Sequence, residues 1–161
     1  MIWVGHDTPL GRILLVGDGT AIARLDWPGT APDPTWTEDP NAFAEARRQI
    51  DAYWNDGHSA FDLPLRPKGT PFQRRVWHAL QAIPPGQTVS YAHIAAAICQ
   101  PRGTQAVGQA NGANPIPILI PCHRVVAADG SLGGFSGDLS DKRRLLAHER
   151  APHQTDTPRL I

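Results

Sequence analysis

Three short apolar runs open the chain, at residues 2–4, 12–16 and 21–25. They are rich in β-branched residues and leucine, and clusters of Gly, Pro and Asp separate them. Runs of this length with turn residues between them predict a β-meander. Four prolines in residues 28–40 predict a loop, and a helical spacing of apolar residues predicts a helix over residues 41–54.

The apolar spacing becomes helical in the second half of the chain. Thr70 and Pro71 stand where the cap and the first residue of a helix belong, and the run Pro84-Pro85-Gly86 ends that helix. Two further helices are predicted over residues 90–98 and 104–112. These two helices are joined by a short turn and form a helix-turn-helix pattern. That pattern is typical of DNA-binding modules, but an αα-hairpin in a helix bundle has it too.

The remaining residues complete the predicted domain organisation. Residues 116–120 are apolar and β-rich and predict an extended segment, and residues 142–149 predict a last helix. We therefore expect an α/β protein with an N-terminal α/β domain over residues 1–68. A mainly helical domain over residues 69–150 and a flexible tail over residues 151–161 would follow.

Length and composition exclude several classes of protein. The chain has 161 residues, of which 41% are hydrophobic and 19% charged, as in an ordinary globular protein. No apolar run reaches the ~18 residues of a membrane span, and the N-terminus lacks the regions of a secretory signal. Two cysteines, Cys99 and Cys122, are too few for a disulfide framework or a cysteine-rich zinc site. We expect a cytoplasmic protein with reduced thiols and no membrane partner.

The net charge of zero conceals two halves of opposite charge. Residues 1–65 hold four arginines against ten acidic residues, whereas residues 66–161 hold eleven basic residues against five acidic ones. Two interpretations are open. The second half binds a polyanion such as DNA, or the two halves attract each other within one folded molecule.

Cys122 and His123 are adjacent residues that could support nucleophilic chemistry. A thiol attacks as its thiolate, a histidine can take its proton, and a carboxylate can orient the histidine. Glu149, at the end of the last predicted helix, is a candidate for that carboxylate. Adjacent side chains in an extended segment point in different directions, so a bridging water could be needed between Cys122 and His123. A buried cysteine beside a surface histidine would give the same sequence.

A longer string around this pair resembles the active-site segment of the O6-alkylguanine-DNA alkyltransferases, the methylated-DNA–protein-cysteine methyltransferases. The string begins at Asn114 and reads Asn-Pro-Ile-Pro-Ile-Leu-Ile-Pro-Cys-His-Arg-Val-Val. Further matches extend from Phe72-Gln73 to His148-Glu149, so the resemblance covers essentially the whole second half. The resemblance implies a small RNase H-like antiparallel sheet followed by a helical domain with a winged-helix-like helix-turn-helix.

The resemblance also implies a reaction. An alkyl group on O6 of guanine, or on O4 of thymine, in DNA would be transferred once and irreversibly to Cys122. His123 would deprotonate Cys122 through a water, and Glu149 would hold His123. Tyr91 would support proton delivery to N3 of the base, and Asn114 would bond the turn before the active-site segment. No cofactor is implied.

The implied partner is double-stranded DNA containing alkylated bases, bound by a monomer. The damaged base would be flipped out of the duplex, and the helix-turn-helix would enter the minor groove. The implied substrate-binding residues are Asn111, Phe135 and Ser136. The implied DNA-binding residues are Gln100, Arg102, Gln105 and Ala106.

Three positions depart from the family pattern. Gln105 stands where the family usually has an arginine that fills the gap left by the flipped base. Phe135 replaces a tyrosine. Cys99 replaces a glycine in the turn between the helices, where a Cβ disfavours a positive φ, so we expect a changed turn and a packed cysteine.

Two further expectations follow from these residues. Gln105 supports an alternative function, a lesion-binding or atypical-adduct homologue that engages DNA differently. Residues 1–65 contain no cysteine and two histidines, so no structural zinc is expected there.

Overall fold

The N-terminal part folds as a four-stranded sheet in a computed structural model, which describes residues 1–133, 135 and 137–151. The strands are β1 (Ile2–Thr8), β2 (Gly11–Gly17), β3 (Ile22–Asp26) and β4 (Thr37–Glu38). The first three form the predicted antiparallel meander. Strand β4 pairs in parallel with β1, inside the segment predicted as a loop, and gives the order β3-β2-β1-β4.

The rest of the described chain is mainly helical, as predicted. The helices are α1 (Ala44–Asp56), α2 (Pro71–Leu80), α3 (Tyr91–Ala97), α4 (Thr104–Gly112) and α5 (Leu139–Glu149). Two short strands, β5 (Val89–Ser90) and β6 (Val125–Val126), pair in parallel and connect the start of α3 to the segment that carries Cys122. None of the described helices has the length and apolar character that a membrane span requires.

Helix α2 begins at its predicted cap, whereas α1 begins later than predicted. The Thr70 hydroxyl accepts from the Gln73 N–H at 3.1 Å, and the Gln73 side chain accepts from the Thr70 N–H at 2.9 Å. This reciprocal capping box fixes the start of α2. Helix α1 begins later than predicted because Phe43 has a positive φ of 56°, which interrupts the helical backbone at that residue.

One cluster of buried apolar side chains joins the sheet to the helices. It includes Ile13, Leu15, Ile50, Trp77, Leu80, Ile94, Val107 and Ile120. The Leu25 N–H of β3 also donates to the Pro115 carbonyl at 3.0 Å. The two halves therefore share one core, and the segment before Cys122 rests against the sheet. Ala151 is buried, and the rest of the predicted tail, residues 152–161, lies outside the described residues.

The prediction of an extended segment over residues 116–120 is wrong. Those residues form successive turns, and Cys122–Arg124 is a short 3₁₀-helix. Prolines at 115, 117 and 121 remove backbone donors that a strand would need, and Ile118 has a positive φ of 73°. The sequence pattern detected β-branched residues but not the effect of the prolines between them.

The turn between α3 and α4 corrects two expectations about Cys99. Its backbone keeps a positive φ of 61°, and its side chain is exposed rather than packed. The Cys99 N–H donates to the Ala96 carbonyl at 3.0 Å and the Gln100 N–H to the Ala95 carbonyl at 2.8 Å. These two hydrogen bonds form a Schellman motif, which requires a left-handed residue at position 99.

Candidate active site

Cys122 lies in the 3₁₀-helix at the centre of the molecule. Cys122 and His123 are each 0% exposed, and Arg124 is 4% exposed. The Cys122 N–H donates to the Ile120 carbonyl at 2.8 Å, and the Cys122 carbonyl accepts from Asn111 Nδ2 at 3.2 Å. The backbone around the thiol is thus fixed from both sides.

Asn114 holds the turn that leads to Cys122. Its Nδ2 donates to the Ile120 carbonyl at 2.8 Å, and its Oδ1 accepts from the Ile116 N–H at 2.9 Å. One amide side chain therefore closes the turn at both ends. Asn111 lies one helical turn earlier, buried in α4. Its Oδ1 is buried and finds no hydrogen-bond partner among the residues that the structure describes.

His123 and Glu149 form a buried pair. His123 Nε2 lies 2.6 Å from Glu149 Oε2, and both side chains are 0% exposed. Because Nε2 donates to the carboxylate, Nδ1 is left as the acceptor of the neutral ring. Nδ1 is buried and makes no hydrogen bond to the described residues. Burial lowers the pKa of His123 and outweighs the opposing effect of Glu149, so the neutral ring is favoured.

Glu149 also binds residues that sequence reasoning did not assign to the site. Arg124 donates to both carboxylate oxygens, at 2.9 and 3.0 Å, and the Tyr53 hydroxyl donates to Oε2 at 2.6 Å. Burial would raise the pKa of Glu149, but the hydrogen bonds and charges of His123 and Arg124 outweigh it and hold that pKa well below its usual range. Burial and the charge of Glu149 raise the pKa of Tyr53, which stays a hydrogen-bond donor.

Lys142 is a buried cation on α5 near the thiol. Its Nζ donates to the Val125 carbonyl at 2.8 Å and to the Leu132 carbonyl. Burial lowers the pKa of Lys142 to about 8, and the negative charge of Cys122 acts in the opposite direction. A charged Lys142 therefore stabilises the thiolate form of Cys122.

Tyr91 and Phe135 lie at the segment whose Leu132 carbonyl binds Lys142. The Tyr91 ring lies against Gly133, where an added Cβ would overlap the ring. Phe135 packs edge-on against Trp27, with ring centroids 5.5 Å apart, and lies 5.9 Å from Lys142 Nζ. The predicted substrate residue Ser136 lies outside the described residues.

The four predicted DNA-binding residues share an exposed surface at the start of α4. Gln100 and Arg102 lie in the turn, and Gln105 and Ala106 lie in the first turn of α4, all exposed. Among the described residues, no group of three His, Cys, Asp or Glu side chains could hold a metal ion.

The sequence contains a signal for two of the additional site residues, Arg124 and Lys142, but not for Tyr53. Arg124 and Lys142 belong to the matched segments, so their burial could have been suspected from the sequence. Tyr53 is 96 positions from Glu149 and lay on a predicted helix face, so no local pattern marked it.

A buried cysteine beside a histidine–carboxylate pair, adjoining an exposed helix-turn-helix, is the arrangement expected of a protein that combines a thiol nucleophile with a nucleic-acid-binding unit. Comparison with known families agrees with this combination. Residues 1–67 match the ribonuclease-like domain of 6-O-methylguanine DNA methyltransferase, and residues 71–151 match its DNA binding domain. The chain belongs to the 6-O-methylguanine DNA methyltransferase family.

Individual relatives cover nearly the whole chain. A methylated-DNA–protein-cysteine methyltransferase of Mycolicibacterium paratuberculosis is 46% identical over 147 residues, 89% of each chain. The constitutive enzyme of that name from Bacillus subtilis is 41% identical over 157 residues, 92% of this chain and 94% of the relative. The crystal structure of Mycobacterium tuberculosis OGT in complex with DNA is similar, with a TM-score of 0.87 and 44% identity. That match covers 94% of this chain and 96% of that chain.

Proposed function

We propose that this protein repairs DNA by direct reversal, as a methylated-DNA–protein-cysteine methyltransferase that moves an alkyl group from O6-alkylguanine to Cys122. The observation that carries the assignment of Cys122 is its place beside the buried His123–Glu149 pair. The names of the relatives support the reaction class. Because the thioether is stable, each molecule acts once.

The proposed step is a displacement at the alkyl carbon. The Cys122 sulfur forms a bond to that carbon while the bond from carbon to O6 breaks, and O6 takes the bonding electrons. His123 Nδ1, which has no hydrogen-bond partner in the described part of the chain, takes the thiol proton through a water. The proton that reaches N3 of guanine comes from water through Tyr91, and His123 releases the thiol proton to water. The base therefore leaves uncharged, and no proton is gained or lost overall.

Glu149 and its hydrogen-bond partners orient His123 for this proton transfer. Glu149 fixes the His123 ring so that Nδ1, rather than Nε2, is the acceptor. Arg124 and Tyr53 satisfy the remaining lone pairs of the carboxylate, which keeps Glu149 ionised in a buried site. Lys142 stabilises the thiolate.

The proposed partner is double-stranded DNA with alkylated bases, bound by a monomer. Gln100, Arg102, Gln105 and Ala106 would meet the minor groove, and the damaged base would be flipped toward Phe135 and Asn111. O4-alkylthymine is a second substrate of the same chemistry. A DNA substrate and two free cysteines both fit the cytoplasm as the location.

The exposed Gln105 favours one alternative function. A neutral side chain at the start of α4 brings no charge to the duplex, which fits a lesion-binding or atypical-adduct homologue. Such a protein would bind alkylated DNA without forming a thioether from O6-methylguanine.

Intact-protein mass after incubation with duplex DNA containing one O6-methylguanine distinguishes these functions. We expect the mass of one methylene to be gained by the wild type and by Cys99→Ala, but not by Cys122→Ala. Cys99→Ala is the matched control because it removes the other, exposed thiol. Lesion binding without a mass gain would favour the alternative, and a gain on Cys122→Ala would show that the acceptor is wrongly assigned.

A further inference from the structure

Trp27 connects the N-terminal sheet to the segment that carries Phe135. It directly follows β3, and its ring meets Phe135 edge-on at 5.5 Å with an interplanar angle of 61°. A Cβ built on Gly137 would lie 2.7–2.9 Å from three atoms of the indole, closer than such contacts occur in proteins. The indole therefore touches this segment at two described residues.

Other contacts to this segment come from the helical domain. Lys142 binds the Leu132 carbonyl and lies 5.9 Å from the Phe135 ring, and Tyr91 packs against Gly133. Phe135 thus meets both Lys142 and Trp27. Trp27, directly after β3, is the contact that comes from the N-terminal half.

The indole is held by packing on described residues. Its Nε1 is buried and makes no hydrogen bond to any residue that the structure describes. The same side chain lines a cavity of about 220 Å³ with Asp26, Pro115 and Pro117. Removal of the indole would join this cavity to the space around Phe135, so that ring would gain room to move away from the site.

We propose that Trp27 is a positioning residue, through which the N-terminal sheet holds Phe135 against the alkylated base and limits the size of the alkyl group accepted. This inference rests on the proposed function, because Phe135 is the residue assigned to cover the base. Trp27 acts through Phe135 and Gly137 and does not itself touch the reacting atoms.

The test compares alkyl groups of two sizes in the same duplex. Transfer rates at saturating DNA and DNA dissociation constants are measured with O6-methylguanine and O6-benzylguanine, for the wild type, Trp27→Ala and Trp27→Phe. Trp36→Ala is the matched control, since the Trp36 ring packs on Arg24 in the N-terminal half, whereas the described ring paired with Phe135 is Trp27. Thermal unfolding checks that all variants are folded.

We expect Trp27→Ala to slow methyl transfer by about fivefold at saturating DNA, the size of effect that loss of one aromatic pair produces. Its DNA dissociation constant should not change. Benzyl transfer should slow less, so the benzyl-to-methyl ratio rises. Trp27→Phe should restore most of the methyl rate, and Trp36→Ala should match the wild type.

A double-mutant cycle with Gly137→Ala tests the contact directly. In the wild-type background the added methyl group collides with the indole and should slow transfer. In the Trp27→Ala background the same methyl group has room, so its effect should be at least threefold smaller. If Trp27→Ala does not fold, the Trp27→Phe background is used, in which the smaller ring also relieves the collision.

The outcomes separate the two proposals. A wild type that transfers no methyl group overturns the proposed function and, with it, this inference. A wild type that transfers the group, with Trp27→Ala indistinguishable from Trp36→Ala or with additive effects of Trp27→Ala and Gly137→Ala, overturns the role of Trp27 alone.

Discussion

Glu149 is the residue on which the buried polar cluster depends. Its two oxygens accept from His123, Arg124, Tyr53 and the Gly86 N–H. A buried carboxylate is tolerated when its charge is paired and its lone pairs are satisfied, and Glu149 meets both conditions. The sequence suggested the His123 contact alone, because the other donors come from distant elements.

Substitutions at Glu149 and Tyr53 should separate charge from hydrogen bonding. Glu149→Gln leaves the buried Arg124 without its counter-charge, which should cost about 3–5 kcal/mol of unfolding free energy. Without the carboxylate to orient His123, transfer should slow by about 10²-fold or more. Tyr53→Phe removes one uncharged donor, so it should cost about 1–2 kcal/mol and slow transfer less than tenfold. Urea unfolding and single-turnover transfer measure both quantities, and equal effects of the two variants would contradict this assignment.

Lys142 should make stability depend on pH in the alkaline range. Its pKa is about 8 in the folded protein against an ordinary value of 10.5. Between these values the unfolded chain binds more protons, so stability rises with pH, by up to about 3 kcal/mol. The penalty for a buried ammonium is fully present below pH 8.

The measurement compares urea unfolding from pH 7.5 to 10.5 in Cys122→Ala with that in Cys122→Ala/Lys142→Met. The Cys122→Ala background removes ionisation of the neighbouring thiol. As pH rises, the free energy of unfolding of the protein with Lys142 should increase relative to that of the Met variant. Parallel pH profiles of the two proteins would be inconsistent with the lowered pKa of Lys142.

At the scale of elements, the predicted helix starts are confirmed where a capping side chain determines the local backbone. Thr70 and Ser90 cap α2 and α3 as their side chains predict. The prediction failed over residues 116–120, where hydrogen bonds of the Asn114 side chain replace a strand ladder. It also failed at α1, because no residue pattern indicated the left-handed Phe43.

The positive φ of Cys99 should strain the backbone, and a substitution by glycine should relieve that strain. Glycine adopts the positive φ without the Cβ penalty, so Cys99→Gly should raise the free energy of unfolding by about 1 kcal/mol. Cys99→Ala keeps the Cβ and serves as the control that removes only the thiol. Chemical denaturation compares the three proteins, and an equal gain in Cys99→Ala would attribute the effect to the thiol instead of the backbone.

At the scale of the whole molecule, the opposite charges of the two halves coexist with one shared core. The composition left open whether the basic half binds a polyanion or the two halves attract each other, and it did not indicate which contacts would join them. The hydrogen bond from Tyr53 to Glu149 and the packing of Trp27 on Phe135 link residues far apart in sequence. Such contacts follow from the packing of α1 and the sheet on the helical domain, which no local periodicity contains.

DNA binding should respond to charge at the start of α4. Arg102→Ala should weaken duplex binding and make the dependence of log K on log salt shallower by about 1. Gln105→Arg should strengthen binding and make the slope steeper by about 1. Arg48→Ala, on α1 in the acidic half and paired with Glu45, should leave the slope unchanged. Fluorescence anisotropy from low to moderate salt measures the slope, and no gain with Gln105→Arg would show that its neutral side chain does not limit affinity.

The Tyr53–Glu149 hydrogen bond also bears on how such a chain can be recombined. The family models meet between residues 67 and 71, which marks an obvious crossover point for building chimaeras from relatives. Yet a donor on the upstream side completes the carboxylate on the downstream side. A hybrid that brings no hydroxyl at position 53 should therefore lose the stability and the part of the transfer rate that Tyr53→Phe loses, so the two segments work best as a matched pair.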